Sequence, residues 1–380
     1  MLKRFFIAVA MVTAAFVSTA SAVDVSVTGT YVIDGDYYDT GDVDYGYYSH
    51  ELDLGLTFKT DEKTMMKTSF GIVDRTWGDD PDAIYTSDIT VDRVWLTHTF
   101  ESGYIAEAGL MDGGVWGTML GNADDGYLRL RVTKEYGFGT VVAYVQKNNE
   151  MGEADTTLED AEEDDADSYS VGTIFKAGSV NIMPMIEYAD DSSTVADQGS
   201  DGTKTLLANL SISGDMKTYG FEAEINYFDV STDVVGESDY SNVNAYADMW
   251  MQMDALKAGF ALAYGSEDDG QFTDFGTDFT IMELMDNDDG YFAGLGAMAL
   301  AKIYGEYAVN DKFTVGAAAA YADLEEDAWG TSDTGITEIN LTGSYKITDA
   351  LSYSVALAYG DADFQDDSVF YVGNEIEFSF

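Results

Sequence analysis

The sequence predicts an all-β chain that closes into a transmembrane antiparallel up-and-down β-barrel, and three observations indicate this. Apolar residues alternate with polar or small ones along segments of about ten residues, as in strands that face lipid on one side and water on the other. The chain of 380 residues has 38 Gly, 26 Tyr and 20 Phe but only 2 Pro, which is typical of strands joined by tight turns. After residue 22, no apolar run approaches the roughly 20 residues of a membrane-spanning helix.

The first residues have the three parts of a secretory signal peptide. Lys3 and Arg4 form a basic start, an apolar run extends from Phe5 to about Val17, and the small residues Ser18–Ala22 end in an Ala-x-Ala pattern. We therefore expect residues 1–22 to be cleaved and residues 23–380 to form a single barrel domain.

Alternation continues to the end of the chain. In one segment Leu52, Leu54, Leu56 and Phe58 share one face, and polar or small residues fill the other. The same pattern predicts 18 strands, with 16 as the alternative if one hairpin is misassigned. The predicted strands span 24–33, 47–59, 64–76, 89–99, 103–112, 126–134, 139–147, 168–175, 180–188, 204–213, 217–229, 241–253, 256–265, 291–309, 313–323, 335–346, 351–361 and 368–380.

The connections between these strands alternate in length and in charge. Every second one is a short turn, and lysines lie at or beside these turns: Lys59, Lys63, Lys134, Lys176, Lys217, Lys257, Lys312 and Lys346. The intervening loops are longer and acidic, above all Glu150–Asp167, Glu267–Asp289 and Leu324–Asp333. Short periplasmic turns and long external loops are the arrangement of a barrel with both termini in the periplasm.

Composition excludes several classes of protein. A formal net charge of −52 argues against nucleic acid as a partner, because phosphate contacts need basic side chains. An aromatic content of 13% is too high for a disordered acidic chain. The absence of Cys excludes disulfides and thiol catalysis.

The last segment carries the most specific signal. Ile376, Phe378 and Phe380 share one face, and the chain ends on that aromatic residue. With the signal peptide, this pattern resembles bacterial outer-membrane proteins, in which such a strand is read by the barrel-assembly machinery. The whole mature length is similar to general diffusion porins of Gram-negative bacteria. The resemblance implies an outer-membrane location, contacts with lipid and lipopolysaccharide, and a homotrimer.

In general porins, the third external loop folds into the barrel, and its acidic residues face basic side chains across a constriction. The matching connection here is Gly113–Gly126, which is less acidic than the other large loops and has Trp116 among several glycines that permit sharp bends. The resemblance therefore implies a constriction that includes Trp116, with Asp112, Asp124 and Asp125 on its acidic side.

The arginines fit the same constriction. Beyond residue 22 the chain has only Arg75, Arg93, Arg129 and Arg131, all in the third to sixth predicted strands. A charged side chain facing lipid costs about 2–4 kcal/mol at the bilayer midplane, so we expect all four to face the lumen or lie near a rim. The alternative is that they pair with lumenal carboxylates and serve only barrel stability.

The predicted function is a water-filled channel for passive diffusion of ions and small hydrophilic solutes, weakly cation-selective because the external loops are acidic. One alternative is a substrate-specific channel with lumenal aromatic residues such as Tyr246 and Trp250; another is a barrel that sheathes a partner protein. An outer-membrane enzyme is disfavoured, because the two histidines, His50 and His98, belong to no catalytic motif.

No cofactor is expected. The segment Asp286–Gly290 is rich in Asp and could bind Ca²⁺ or Mg²⁺ weakly, but it lacks the spacing and the terminal Glu of a calcium-binding loop. The simpler interpretation is a solvated loop, or diffuse bridging by divalent ions between acidic loops and lipopolysaccharide.

Overall fold

A computed structural model describes residues 23–41, 43–76, 89–113, 116–122, 126–149, 166–191, 202–232, 238–268, 270–287, 290–325 and 334–380, without the side chains of residues 73–75 and 149. The described residues contain 18 strands, numbered β1 to β18 in chain order. They span Asp24–Asp39, Asp44–Lys59, Thr64–Thr76, Arg93–Thr99, Tyr104–Asp112, Gly126–Tyr136, Gly139–Asn149, Ala166–Ala177, Val180–Asp191, Thr203–Asp215, Tyr219–Thr232, Tyr240–Met253, Leu256–Gly265, Met298–Asn310, Phe313–Leu324, Gly335–Lys346, Leu351–Ala362 and Val369–Ser379.

Each strand pairs antiparallel with its neighbours in the chain, and β1 pairs with both β2 and β18. The sheet therefore closes on itself and has no free edge. Closure is completed at the C-terminus, where Gly29 and Phe380 exchange two backbone hydrogen bonds of 3.0 Å. The predicted all-β barrel of 18 strands is confirmed, and the 16-strand alternative is not what the chain forms.

The period-two sequence pattern separates the two faces of the wall. In β16, Ile339 and Leu341 point outward and are 53% and 54% exposed, whereas Glu338 and Asn340 between them point inward and are buried. Successive side chains of a strand point to opposite faces, so a large apolar residue at every second position makes an apolar outer surface. The inner surface receives the intervening polar and small residues.

The eight short turns fall where the sequence places them, and local hydrogen bonds fix their geometry. Between β2 and β3, Asp61 Oδ1 accepts the backbone N–H groups of Lys63 (2.7 Å) and Thr64 (2.8 Å). These bonds favour the ionised carboxylate and hold the pKa of Asp61 below its ordinary value.

Strand β14 differs from the prediction at its N-terminal end. It begins at Met298, whereas the sequence pattern placed its start at residue 291. Residues 291–297 instead belong to the preceding loop, where Phe292 and Leu295 are buried among other apolar side chains. A short apolar run is compatible with either placement, so periodicity alone did not separate them. No helix in the described ranges is long and apolar enough to cross a membrane.

Candidate functional site: the lumen and its two inward loops

The third long loop, residues 113–125 (L3), turns into the barrel between β5 and β6. Trp116 Nε1 donates a hydrogen bond of 3.2 Å to the carbonyl oxygen of Met183 in β9, and the indole ring lies against Gly172 in β8. Within the loop, Asn122 Oδ1 accepts the N–H of Trp116 at 2.8 Å. The described residues of L3 therefore lie against the inner wall, away from the strands that carry the loop.

A buried glutamate of the wall holds L3 in this place. Glu224 in β11 is 4% exposed, and its Oε2 accepts the backbone N–H of Thr118 at 2.6 Å. Its Oε1 accepts Nδ2 of Asn209 at 2.5 Å, so both carboxylate oxygens have donors. A carboxylate acceptor makes a stronger hydrogen bond than a neutral one, which stabilises the loop on the wall.

Glycine is required at one close contact between L3 and the wall. Gly117 has φ of +78°, a conformation that side chains disfavour. A Cβ atom there would collide with the Glu224 carboxylate and with Ser211. One of the glycines that permit L3 to bend is thus also a point of close contact between the loop and the wall.

A second, longer loop also enters the lumen. It joins β13 to β14 over residues 266–297 (L7), and its side chains Phe275, Phe279, Leu284 and Met285 are completely buried. The ring of Phe279 meets Tyr246 of β12 edge-on, with 6.0 Å between the centroids. The other buried members of this apolar cluster include Ile281, Met282, Phe292 and Leu295 of L7, and Ala261, Ala263, Leu300, Ala320, Ala322, Ile336, Ala358 and Val369 of the wall.

Polar contacts fix the backbone of L7 to the wall beside this cluster. Glu338 in β16 is 0% exposed, and its two carboxylate oxygens accept the N–H groups of Leu284 and Met285, each at 2.9 Å. Lys302 in β14 donates to the carbonyl oxygen of Ile281 at 2.6 Å. Because these partners lie on different strands, they fix both the position and the orientation of the loop.

L3 and L7 touch each other inside the barrel. The N–H of Gly121 in L3 donates to the carbonyl oxygen of Phe275 in L7 at 2.5 Å, and the N–H of Asp278 donates back to the carbonyl oxygen of Asn122 at 3.1 Å. Leu120 belongs to the same apolar cluster as the L7 residues. The two loops thus form one continuous layer across part of the lumen.

The lumenal arginines lie on the strands next to L3, in β4 and β6. Arg129 is buried, with its Nε 2.9 Å from Gln146 Oε1 and its guanidinium 3.9 Å from the centre of the Tyr144 ring. Arg131 Nε contacts Glu107 Oε2 at 2.6 Å. Both arginines therefore point inward, where side chains of the neighbouring strands engage them.

Arg93 pairs with Asp112 at 2.5 Å between Nε and Oδ1. The sequence had placed Asp112 across the lumen from the arginines, but β4 and β5 are neighbours and bring the two residues together on one wall. The backbone of Arg75 lies in β3, but its side chain is outside the described residues, as are Asp124 and Asp125. The constriction between these arginines and the acidic residues stays a prediction.

The C-terminal residues share the outer face. Ile376, Phe378 and Phe380 are all partly exposed there, and the last two rings stack with 5.7 Å between their centroids. Their role as a barrel-assembly signal stays a prediction.

The inward position of L7 is the feature of the lumen that the sequence did not predict. Its carboxylates led to the expectation of a solvated external loop over Glu267–Asp289, but the described part of this loop lies in the lumen. The signal in the sequence was a group of large apolar residues within this acidic loop, including Phe275, Phe279 and Leu284. A loop that is fully exposed to solvent gains no stability from such residues.

One titratable group of L7 faces the open part of the lumen. Burial raises the pKa of Glu283, and the neighbouring carboxylates of Asp286, Asp36 and Glu375 raise it further, while Lys302 opposes them. Among the described residues, no three His, Asp or Glu lie close enough together to hold a metal ion. Asp288 and Asp289 are outside those residues, and divalent cation binding at this segment stays a prediction.

Comparison with known proteins adds structural relatives only. No protein-family model matches the chain, and no curated protein matches it. The chain is similar to the crystal structure of Pseudomonas aeruginosa OccK2 (OpdF), with a TM-score of 0.66, 9% identity, and coverage of 94% of this chain and 98% of that one.

Two further structures from the same organism are similar. For the outer membrane protein OprD the TM-score is 0.62 and the identity 11%, over 95% of this chain and 94% of that one. For OpdK with vanillate the values are 0.61 and 12%, over 93% and 98%. At such low identity the shared property is the closed antiparallel barrel, the fold that the sequence resemblance implied.

Proposed function

We propose that the protein is a channel of the bacterial outer membrane that admits small hydrophilic solutes by passive diffusion along a lumen narrowed by L3 and L7. One observation carries this proposal: the 18 strands close into a cylinder with an apolar outer face and an inner face of polar and small residues beyond the apolar patch that L7 covers. Closure satisfies the backbone hydrogen bonds of the strands without a free edge, which is the condition for a sheet to cross a membrane. The similar fold of the outer membrane protein OprD supports the location.

Export and assembly complete the proposal. A signal peptide at residues 1–22, which lie outside the described residues, would deliver the chain across the inner membrane. The barrel-assembly machinery would then read Ile376, Phe378 and Phe380. Lipid and lipopolysaccharide would surround the outer face, and a homotrimer is the oligomer that the resemblance to general porins implies.

The charges of the lumen support a weak preference for cations. The guanidinium groups of the lumenal residues Arg93 and Arg131 are paired with Asp112 and Glu107. Paired cations contribute little net field, whereas the whole chain carries a formal charge of −52. A permeating cation is therefore favoured over an anion.

A substrate-specific channel is the second candidate, and the two inward loops favour it. The described parts of the two loops lie in the lumen beside several cavities lined by residues of the loops and the wall. Among similar structures, that of OpdK was determined with vanillate. A general pore and a specific channel differ in one measurable property: only the specific channel shows an ion current that a low concentration of its solute reduces in a saturable manner.

The proposed channel carries out no catalytic step, and an outer-membrane enzyme remains the disfavoured interpretation. His98, which lies near a short turn, is 2.9 Å from the Thr64 hydroxyl and packs against Phe100. Hydrolysis of lipid or peptide by the refolded barrel would favour that alternative.

Planar-bilayer recording of the purified barrel tests the proposal. We expect stepwise ion currents, and a reversal potential in a KCl gradient that corresponds to a preference for K⁺ over Cl⁻. Absence of channels from a correctly refolded barrel would contradict the proposed function. A preference for Cl⁻ would contradict only the assignment of cation selectivity.

A further inference from the structure

L3 and L7 meet backbone to backbone in the lumen. The N–H of Gly121 donates to the carbonyl oxygen of Phe275 at 2.5 Å, and the N–H of Asp278 donates to the carbonyl oxygen of Asn122 at 3.1 Å. Each loop therefore supplies one donor and one acceptor to the other. Because the two bonds involve adjacent residues of L3, they fix the position of one loop against the other.

A glycine of L7 permits this close approach. Gly276 follows Phe275 and has φ of +88°, a conformation that side chains disfavour. A Cβ atom at this position would collide with the backbone nitrogen and the carbonyl oxygen of Asn122 in L3. The backbones of the two loops are thus in direct contact, and a side chain at residue 276 would force them apart.

Asn122 connects this contact to the rest of L3. Its side chain is buried, its Oδ1 accepts the N–H of Trp116 at 2.8 Å, and its Nδ2 donates to the carbonyl oxygen of Thr118. Trp116 and Thr118 are the residues that bond to Met183 and Glu224 of the wall. A displacement of L7 is therefore transmitted through Asn122 to the residues that attach L3 to the wall.

The apolar side chains of L3 depend on L7 for their burial. Leu120 is 1% exposed and belongs to the apolar cluster that contains Phe275, and Met119 packs against that cluster. The wall residues of the cluster lie on β1 and on β12 to β18, and none of the described residues of β4 to β11 belongs to it. Release of L7 would expose Leu120 to water and remove the favourable free energy of its burial.

L7 has anchors of its own on the wall. Glu338 of β16 accepts two backbone N–H groups of the loop, and Nδ2 of Asn244 in β12 donates to the carbonyl oxygens of Thr273 and Asp274 at 3.0 and 2.9 Å. L3 is bonded to β9 and β11 instead. The contact between the loops therefore joins two sets of anchors that lie on different strands.

We propose that L3 and L7 form a single cooperative unit, which is docked in the lumen or released as a whole. This inference rests on the proposed channel function and adds its regulation, because the lumen then changes directly between a narrow and a wide form. Loops held independently would add two intermediate forms, each with one loop released. Coupling between two sites is reciprocal, so release of either loop favours release of the other.

Thiol labelling tests the coupling, because the chain has no Cys and one introduced Cys is the sole thiol. Thr118→Cys places a reporter in L3 and Met282→Cys places one in L7, at residues that are 6% and 4% exposed in the docked loops. Each reporter is combined with Glu338→Ala, which removes an anchor of L7. We expect both reporters to react with a water-soluble maleimide about tenfold faster, by the same factor, because both report one release.

Glu377→Ala is the matched control. This lumenal glutamate of β18 accepts the hydroxyl of Ser379 at 2.7 Å near the C-terminus, and its replacement should leave both labelling rates unchanged. Glu224→Ala, which removes an anchor of L3, should accelerate the L7 reporter as well as the L3 reporter. Glu338→Gln keeps one acceptor oxygen, should accelerate both reporters by a smaller factor, and replaces Glu338→Ala if that variant does not refold.

The outcomes separate the inference from the proposed function. Faster labelling of the L7 reporter alone in Glu338→Ala would overturn the cooperative unit, and so would equal acceleration by Glu377→Ala, which would indicate loosening of the whole barrel. Labelling is measured on the refolded barrel and needs no ion current, so absence of conductance would overturn the proposed function without changing the labelling result. In planar bilayers, Glu338→Ala should change directly between two current levels, and separate steps for the two loops would contradict the inference.

Discussion

L3 and L7 enter the same lumen, but different interactions hold them there. L3 is short, and it attaches to the wall largely through hydrogen bonds to groups such as Glu224 and the carbonyl oxygen of Met183. Its apolar contacts are few: Met119 and Leu120 at the edge of the apolar cluster, and the Trp116 ring against the wall. L7 has an apolar core around Phe275 and Phe279 in addition to its polar contacts. Hydrogen bonds to solvent compete with the first kind of attachment, whereas burial of aromatic rings from water adds a large driving force to the second.

The two loops also share a feature that is independent of their size. In each, backbone N–H groups at the inner end of the loop donate to a buried wall glutamate: Thr118 to Glu224, and Leu284 and Met285 to Glu338. An irregular backbone in a lumen needs partners for its N–H groups, and a carboxylate can accept more than one. From this comparison we infer that a buried glutamate determines where a loop attaches to the wall, while an apolar core determines the stability of that attachment.

Phe279→Ala tests the apolar core and should have the largest effect of a single substitution. Removal of a buried aromatic side chain costs about 3–5 kcal/mol, and here the cost falls on L7 because the barrel itself stays closed. We expect limited proteolysis to cut L7 and single-channel conductance to rise. Phe260→Ala on the outer face is the control, and equal protease resistance of the two variants would contradict an apolar anchor for L7.

Glu338→Ala should have the next largest effect. It leaves the N–H groups of Leu284 and Met285 without an acceptor, at about 1–3 kcal/mol for each buried group. We expect fluctuating current levels as L7 detaches and rebinds, with less proteolysis than in Phe279→Ala. Glu338→Gln keeps one acceptor oxygen and should be intermediate; current as steady as in the unmodified protein would show that the carboxylate does not hold the loop.

Glu224→Ala should have a smaller effect on conductance, because L3 is shorter and Thr118 is the one described residue of the loop whose N–H loses its acceptor, at about 1–3 kcal/mol. On the wall, Asn209 Nδ2 loses one acceptor and keeps Asn226 Oδ1. Glu222→Ala, on the same face of β11, is the matched control. Single-channel recording is the measurement. A larger change than in Glu338→Ala would reverse the proposed order of the two loops.

Lowering the pH should change the conductance through L7, by a smaller amount than the substitutions above. When L7 lies in the lumen, burial raises the pKa of Glu283, and the carboxylates of Asp286, Asp36 and Glu375 raise it further, while Lys302 lowers it. The free energy of placing L7 in the lumen is therefore most favourable when Glu283 is protonated. Docking should therefore strengthen as the pH falls through this raised pKa toward the ordinary value of 4.5. We expect conductance to fall over that range, and Glu283→Gln to flatten the change; an unaltered pH profile in the variant would remove Glu283 from the account.

Much of the fold was predictable because the pattern of apolar and polar residues within a strand depends only on neighbouring positions in the sequence. Period-two alternation predicted all 18 strands, and the length of the connections predicted every short turn. The inward path of L7 was not predicted, because its many carboxylates suggested a solvated loop and concealed the role of Phe275 and Phe279. Docking of that loop depends on wall residues more than 50 positions away, such as Glu338, which periodicity cannot pair with it.

The candidate site shows the same division. An inward direction for Arg129 and Arg131 follows from the alternation in β6, and the structure places both in the lumen. The partner of Arg93 depends instead on the register between β4 and β5, which brings Asp112 beside it. Glu224 looks like any other lumen-facing acid in the sequence, and only its contact with Thr118 identifies it as an anchor.

Excision of each inward loop tests the central claim most directly. Residues 116–122 and, separately, residues 270–292 would be replaced by short Gly-Ser linkers, and single-channel conductance would be compared with that of the intact barrel. If the lumen is the conduction path and both loops narrow it, both excisions raise the conductance, and excision of the L7 segment raises it more. Conductance that neither excision changes would contradict the claim that solutes pass through this lumen.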